Sequence, residues 1–548
     1  MPTIDISKSD FEFLFGKKFS LQELSDALLF VKAEIDSVDG DILKVDVKET
    51  LRPDLWSVEG IVRELKARLG FEKGFPKYVV NKPCLSVVIE KSVKGVRPFT
   101  VGAVLKGVVV TEPLLVQLIQ LQEKMHLTYG KKRSEVAIGV YDFDKIVGDI
   151  RYYGAVPSEK KFVPLDFDSE LYLDEILEVH PKGREFGYLL KGKPLYPIFE
   201  DSKGNVLSMP PIINSNYSGK VTLETKNLFV EVSGFSLDAL VPALNVIVMA
   251  LADRGAKIYG VNIVDSNGQS FVTPFFETKS ISLSLSYFEK ISGLKLSLSE
   301  VIDLLERSRY VVSKTKDKDV LSVSFLNYRV DLLHQVDVVE DLLVSYDYNK
   351  ISPLRPSVPV FGSELKESLV VGKVREICVG LGLQEVLTFV LTSKEKQSSL
   401  ILSNDVELVE IANPVSSNWA VLRKNIFPEL LEFLSKNKSV ELPHKIFEIG
   451  KTLEIDSLSD SKTIEKTKVC LVVASKGVGF TEAKSMLVAL ARELNRSVSF
   501  SECSLPWLKR GKSALCVSGL KGFFGELADR VCANFGLSMP IIIVEVEF

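Results

Sequence analysis

"DLLHQVDVVEDLLVSYDYNKI", residues 331–351, gathers Asp331, Asp337, Glu340 and Asp341 into one short stretch. If the chain is helical from Val336, Asp337, Glu340 and Asp341 fall at i, i+3 and i+4 and share one face. Like charges stacked in this way repel by a few tenths of a kcal/mol per pair. A helix start favours negative charge, so a solvated acidic face is the bland reading, and on spacing alone it carries more weight. What neutralises these acids is the question the stretch raises.

Working outward, residues 274–350 read as one small unit. "SLSEVIDLLERSRY" is a Ser-capped helix there and the acidic segment is a second one. "ISPLRPSVPVFGS", 351–363, carries three prolines and reads as a linker. Beyond it, 364–548 mixes helices ("ELKESLVVGKVREICVGLG") with strands ("VCLVVAS", "IIIVEVEF"). Upstream, residues 77 to about 270 alternate β-rich runs ("CLSVVIE", "EVAIGVYDFD", "NLFVEVSG") with turns and two helices, 112–126 and 236–254. "RPDLWSVEGIVRELKARLG", 52–70, has Pro53 at a helix start and Gly70 past its end. Leu55, Val58, Val62, Leu65 and Leu69 form one apolar stripe, which predicts an amphipathic helix docked on a core.

The chain has 548 residues, enough for about four domains. Its 46% apolar and 26% charged composition is that of an ordinary globular protein. No run approaches the ~20 apolar residues of a membrane span. "LVPALNVIVMALA" (240–252), interrupted by Pro242 and Asn245, reads as a buried helix. The start "MPTIDISKSD" lacks the pattern of a signal peptide. Six scattered cysteines without a C-x-x-C pair, and only four histidines, argue against zinc and against a disulfide framework. A reduced, cytoplasmic compartment is expected. With a net charge of −4 there is no global nucleic-acid footprint, and the basic clusters "GKKR" (130–133) and "WLKRGK" (507–512) read as solvated loops. No phosphate-binding loop, dinucleotide fingerprint, nucleophile elbow or H-E-x-x-H is present.

Seven strings taken in order carry a resemblance: "RPDLWSVEGIVRELK", "AIGVYDFDKI", "HPKGREFGYLL", "MPPIINSNYSGKVT", "RVDLLHQVDVVEDLLVSYDYNKI", "NPVSSNWAVLRKNIFPELL" and "HKIFEIG". Together they resemble the β subunit of phenylalanyl-tRNA synthetase in its archaeal and eukaryotic form. The N-terminal tRNA-binding barrel and C-terminal anticodon-binding module of bacterial β subunits are not expected. The resemblance implies an α+β multidomain chain: an N-terminal domain (1–85), a B3/B4-type editing domain (86–270), a B5 domain (274–350), the linker (351–363) and a domain (364–548). The last is expected to be a class II synthetase-like antiparallel sheet flanked by helices, without catalytic residues. It further implies a separate α subunit carrying the synthetic site, an α2β2 heterotetramer and tRNA(Phe) as partner. The enzyme as a whole then charges tRNA(Phe) with phenylalanine using ATP, and no membrane is involved.

The same resemblance assigns residues. Asp331, Asp337, Glu340 and Asp341 match a magnesium pattern, D-x5-D-x2-E-D. Magnesium keeps several waters and usually takes one or two carboxylates directly, so some of the four are expected to act through water, near the α subunit. Asn214, Ser215 and Glu231 are the candidates for hydrolysing tyrosine mischarged onto tRNA(Phe), with Glu231 accepting from the tyrosine hydroxyl and Ser215 or a backbone N–H orienting water. The family more usually has Asp and Thr where Glu231 and Ser233 stand, and Thr–Asp where Phe235 and Ser236 stand. For synthesis, aligning Glu448 of "HKIFEIG" with the glutamate that follows the ATP-binding arginine of class II sites puts Ile446 in the arginine's place. No glycine-rich strand followed by arginine in the family's setting comes later; the nearest candidate, "GFFGELADRV", has Ala528 and Asp529 where the family usually has histidine–proline after the glutamate. Arg423 reads as surface or interface packing. Two other classes of function stay open, a free-standing aminoacyl-tRNA deacylase and a noncatalytic scaffold. Co-purification of a synthetase α subunit separates them from the synthetase reading.

Overall fold

The computed structural model describes residues 2–356, 360–403 and 406–548, so residues 357–359 of the expected linker lie outside the described residues. The chain divides into two compact units, Met1–Leu354 and Arg355–Phe548.

The first unit opens with a three-stranded antiparallel sheet of Thr3–Ser7, Ile42–Val47 and Ala33–Asp39. Helix Lys8–Phe15 packs beside it through Phe11 and Phe15, which meet Phe19 edge-on. A 3-10 turn, Pro53–Leu55, leads into helix Val58–Arg68, whose start is capped by Ser57 accepting from the Gly60 amide. Gly60 is obligatory, because a Cβ there would lie 1.5 Å from the carbonyl oxygen of Asp54. Val58, Val62 and Leu65 of the expected stripe are buried, but so are Glu59, Arg63, Glu64 and Arg68. The helix is therefore not a surface amphipathic one. Its polar face is also covered, and the charges on it find charged partners in place of water.

The middle of this unit is a mixed ten-stranded sheet. From edge to edge it runs Ile213–Asn214, Val206–Met209, Tyr196–Asp201, Ile150–Ala155, Val80–Ile89, Lys257–Val264, Phe99–Lys106, Asn227–Gly234 and Val136–Asp142; Ser270–Thr273 adds to Lys257–Val264. Val80–Ile89 is parallel to both its neighbours. Helices Glu112–Leu127 and Leu237–Asp253 accompany the sheet, the second buried from Leu240 to Leu251 as its largely apolar sequence predicts. Asn245, the polar exception, donates to the carbonyl of Phe275 and to Asn327. One register matters below: Glu231 sits between Gly102 on one neighbouring strand and Gly139 on the other.

The unit ends in a second three-stranded antiparallel sheet, Thr278–Ser284, Val320–Leu326 and Val311–Lys314, packed with three helices. Helix Leu298–Arg307 starts in a reciprocal capping box between Ser297 and Glu300. The acidic segment is helical over Gln335–Tyr346, with the Asp337 carboxylate closing a box on the His334 amide.

The second unit is built on a seven-stranded sheet in the order Gln384–Glu385, His444–Ile455, Thr463–Ala474, Ile541–Glu547, Lys521–Leu527, Leu508–Ser518, Ser499–Glu502. Every pairing is antiparallel except the first. Apolar side chains leave both faces: one set meets helix Phe427–Lys436, the other helices Lys366–Gly380 and Phe480–Glu493. Helix Phe427–Lys436 has no capping side chain of its own. Glu545, buried on a central strand, accepts from the amides of Ile426 and Phe427 at 2.9 Å each.

Candidate functional site

A cavity of about 430 Å³ opens beside the edge strand Val136–Asp142, between helix Glu112–Leu127 and the segment 208–221. Glu231 reaches its wall from the adjacent strand and is 2% exposed. Oε1 of Glu231 lies 3.1 Å from the Tyr141 hydroxyl, which itself donates to Ser208 Oγ at 2.7 Å. Oε2 has no hydrogen-bond partner among the described residues. Burial pushes this carboxyl up to about 8, against the pull of the Tyr141 hydrogen bond and the Arg97 charge, so near neutral pH it is mainly the uncharged acid. The space exists because its neighbours are glycines. A Cβ on Gly139 would stand 2.2 Å from the Tyr141 hydroxyl and 2.8 Å from Oε1 of Glu231.

Asn214 lines the same cavity, its amide donating to the Val140 carbonyl at 3.3 Å. Ser215 does not line it. The Ser215 side chain is buried and holds a turn, accepting from the Ser218 amide at 3.3 Å and sharing a hydrogen bond with the Ser218 hydroxyl. The structure thus brings Asn214 and Glu231 together and gives Ser215 a local task instead of a place facing the cavity.

Three wall residues escaped the sequence reading. His126 accepts from the Ile138 amide through Nε2 at 2.8 Å, and burial pulls it down to about 4, so it is neutral. Arg133, from the cluster read as a solvated loop, is buried; it donates to the carbonyls of Pro211 and Ile212 and to Glu123, and its guanidinium packs on Phe186 at 4.4 Å. Lys131, Lys132 and Arg133 all take positive φ, and that backbone turn carries Arg133 inward while Lys131 and Lys132 remain exposed. Ser208 is the third. The missed signal was the pair Gly102 and Gly139, which matters only once the strand register is known.

The four acidic residues have separate partners. Asp341 Oδ1 accepts from Arg68 at 2.7 Å; its Oδ2 accepts from Arg329 at 2.7 Å and from the Tyr310 hydroxyl at 2.6 Å. Burial alone would raise this carboxyl, but Arg329, Arg68 and Arg52 outweigh it and hold it well below the usual range. Asp331 receives Nε and Nη2 of Arg329 at 2.8 and 2.6 Å. Asp337 Oδ2 accepts two backbone amides, Leu333 and His334, at 2.8 and 2.7 Å. Glu340 is exposed and pairs with Lys32 at 2.5 Å. That answers what neutralises the acidic face: two arginines, a helix start and a lysine.

A magnesium ion needs carboxylate oxygens that converge and are open to it. Among the described residues no three His, Cys, Asp or Glu side chains form such a group. Both oxygens of Asp331 and of Asp341 already accept from guanidinium groups, whose positive charge opposes a cation at the same atoms. Asp331 and Asp341, with every oxygen on a guanidinium, do not fit as direct ligands of the ion in this structure.

In the second unit Glu448 is buried against Arg423 at 2.7 Å, and Thr388 donates to its other oxygen at 2.6 Å. Arg423 also donates to Thr388 and to the Lys451 carbonyl, at 2.8 and 3.0 Å. The reading of Arg423 as surface or interface is thereby corrected, since it is 1% exposed. Gly450 makes room for it: a Cβ there would be 2.1 Å from Nη2 of Arg423. Ile446 is buried in an apolar cluster with Ile426, Phe427 and Val472. Of the second basic cluster, Trp507 packs between Phe427 and Phe523, while Lys509 and Lys512 pair with Asp529 and Glu526.

Comparison with known proteins matches residues 351–548 to the family described as "Phenylalanyl tRNA synthetase beta chain CLM domain", and residues 281–348 to "tRNA synthetase B5 domain". The phenylalanine–tRNA ligase beta subunit of Pyrococcus furiosus is 44% identical over 555 residues, covering 100% of this chain and 99% of that protein. The beta subunit of Methanosphaera stadtmanae is 32% identical over 559 residues, with 100% and 99% covered. Among solved structures, an N-terminal fragment of the phenylalanyl-tRNA synthetase beta subunit from Pyrococcus horikoshii superposes with a TM-score of 0.61 at 45% identity. It covers 63% of this chain and 100% of that fragment.

Proposed function

This chain belongs to the family of phenylalanine–tRNA ligase beta subunits and is thus a subunit of an aminoacyl-tRNA synthetase; on that premise we propose two roles for it within one enzyme. The first is architectural. It pairs with an α subunit that activates phenylalanine, in an α2β2 assembly, and helps to place the acceptor end of tRNA(Phe). The second is corrective: it hydrolyses tyrosine wrongly esterified to tRNA(Phe).

The corrective role rests on one observation, a cavity with an uncharged, half-unpartnered carboxyl on its wall. A pocket that fits phenylalanine rejects an analogue with one extra hydroxyl only about a hundredfold in a comparable case, so a second sieve is needed. That second pocket must prefer a phenol over a bare ring. A neutral carboxylic acid both donates and accepts, so Glu231 can pair with a tyrosine hydroxyl without a charge being buried. Phenylalanine in the same place would leave the carboxyl unpaired and gain nothing. At about 430 Å³ the cavity lies within the range of small-molecule sites, roughly 300–1,000 Å³. With the side chain so held, the Asn214 amide is the candidate for orienting the ester carbonyl or the attacking water, and the turn that Ser215 holds presents Asn214. Water adds to the carbonyl, the ester bond to the ribose oxygen breaks, and the leaving oxygen takes up the proton that the water gives up.

For the second unit, the buried Arg423–Glu448 pair and the apolar surroundings of Ile446 support a class II-like domain without synthetic chemistry. Adenylate formation brings two anions together and needs cationic groups aimed at the phosphates. Arg423 is committed to Glu448.

The test is deacylation of tyrosyl-tRNA(Phe) and of phenylalanyl-tRNA(Phe) by the purified complex. Glu231→Ala should abolish the preference for the tyrosyl ester and Asn214→Ala should slow its hydrolysis, with Ser215→Ala milder than either. Wild-type rates in Glu231→Ala and Asn214→Ala would remove the cavity from the reaction.

A further inference from the structure

Two of the seven strings that carry the resemblance meet in one place. "RPDLWSVEGIVRELKAR" supplies Arg52, Asp54, Glu64 and Arg68; "RVDLLHQVDVVED" supplies Arg329, Asp331 and Asp341. Arg52 grips Asp54 through two bonds of 2.8 Å and reaches Glu64 at 3.1 Å. Glu64 accepts from Arg68 at 2.9 Å, and Arg68 crosses to Asp341, 273 positions away, at both its carboxylate and its carbonyl. Arg68 also donates to Ser308 and Ser345, so its Nη1 carries three contacts. Arg329 then joins Asp341 to Asp331. Every side chain here except Asp331 belongs to a residue less than 9% exposed.

We propose that Asp331 and Asp341 are not ligands for a divalent cation but counter-ions in a metal-free arginine–carboxylate lattice that locks helix Val58–Arg68 onto helix Gln335–Tyr346. The chemistry of the oxygens carries this. A cation on Asp341 would sit beside Arg68 on one oxygen and Arg329 on the other, and would have to displace hydrogen bonds already at 2.6–2.7 Å. Asp337 Oδ2 closes the helix start, and Glu340 leans outward to Lys32. The D-x5-D-x2-E-D pattern is then a fold signature. One pair of its acids balances buried arginines, and the other pair starts and decorates a helix. Arginine suits the inner role because its planar fork meets two acceptors at once.

The lattice and a metal site differ most in the arginines. Arg68→Met leaves all four carboxylates in place. A metal site would keep or gain affinity, whereas the lattice loses the partner of two buried carboxylates. The experiment uses the full chain, alone and in complex with its α subunit. Limited proteolysis and thermal unfolding are followed after exhaustive EDTA dialysis, with and without added MgCl2, alongside bound-metal analysis and MgCl2 titration calorimetry of the chain alone. Expected are no magnesium retained by the chain alone, unfolding unaffected by EDTA, and cleavage of Arg68→Met faster by roughly tenfold or more, as for loss of a buried ionic partner. If Asp341→Asn or Arg68→Met fails to fold, the double variant Arg68→Met with Asp341→Leu decides. The lattice predicts recovery toward wild type, because both charges leave together. A wild-type chain that keeps one magnesium, loses it in Asp331→Asn or Asp341→Asn, and tolerates Arg68→Met with unchanged stability would overturn the proposal.

Discussion

Replacing Glu231 by Gln should make the protein's stability less dependent on pH, in a direction opposite to the usual carboxylate. The carboxyl is held up at about 8 from an ordinary value of 4.5, because burial disfavours its charge. A group raised on folding stabilises fully below its unfolded value, and that contribution is lost as pH rises through its folded value. Between pH 4.5 and 8 the wild-type protein must therefore take up a proton at Glu231 in order to fold, which costs roughly 1.4 kcal/mol for each pH unit above 4.5. By pH 7 the accumulated cost is about 3 kcal/mol, and by pH 8 it approaches 5 kcal/mol. Gln fills nearly the same volume, keeps hydrogen-bonding capacity toward Tyr141 and does not titrate. Glu231→Gln should thus differ little from wild type at pH 4.5 and become progressively more stable relative to it toward pH 8. Urea unfolding of both proteins at half-unit intervals from pH 5 to 8 measures this. A stability difference that stays constant over that window would show that Glu231 is ionised in the native protein, and the argument from a neutral carboxyl would fall with it.

Gly139→Ala should push the Tyr141 hydroxyl and Glu231 apart, since the new methyl would enter at 2.2 and 2.8 Å; deacylation of tyrosyl-tRNA(Phe) should fall while phenylalanine charging by the complex is retained, and both are read by filter assays. Gly450→Ala should break the Arg423–Glu448 pair and destabilise the second unit by about 3–5 kcal/mol, the usual cost of stranding a buried charge, which calorimetry of the purified chain would register. Phenylalanine-dependent ATP–pyrophosphate exchange should be absent from the chain alone and appear when α subunit is added; exchange by the chain alone would contradict the reading of its second unit.

What the sequence discloses is local and periodic. The Ser297–Glu300 capping box, the largely apolar helix Leu237–Asp253 and the acidic helix Gln335–Tyr346 are each determined by residues within a few turns of one another. The ordered strings likewise led to the right family. What stayed hidden needs partners that are remote in sequence. Glu64 and Arg68 look like the solvent face of an amphipathic helix until Arg52 and Asp341 are brought to them. Gly102 and Gly139 look like ordinary strand glycines until register puts them on either side of Glu231. Ser215 is a site candidate by resemblance, but a serine three positions before another serine in a turn bonds locally first. Arg423 was underestimated for a related reason: nothing in "AVLRKN" signals the glycine at 450 that leaves room for its guanidinium.

The carboxylate of Glu545 at the head of helix Phe427–Lys436 has a kinetic consequence. The leading amides of a helix normally fray first, opening to solvent without disturbing the rest of a domain. Here the amides of Ile426 and Phe427 are tied to a side chain of the strand Ile541–Glu547, which pairs on both sides within the seven-stranded sheet. They can be released only when that central strand lets go of its carboxylate. In hydrogen–deuterium exchange these two amides should therefore behave as members of the sheet, trading their protons on its slow clock while the far end of the same helix exchanges early.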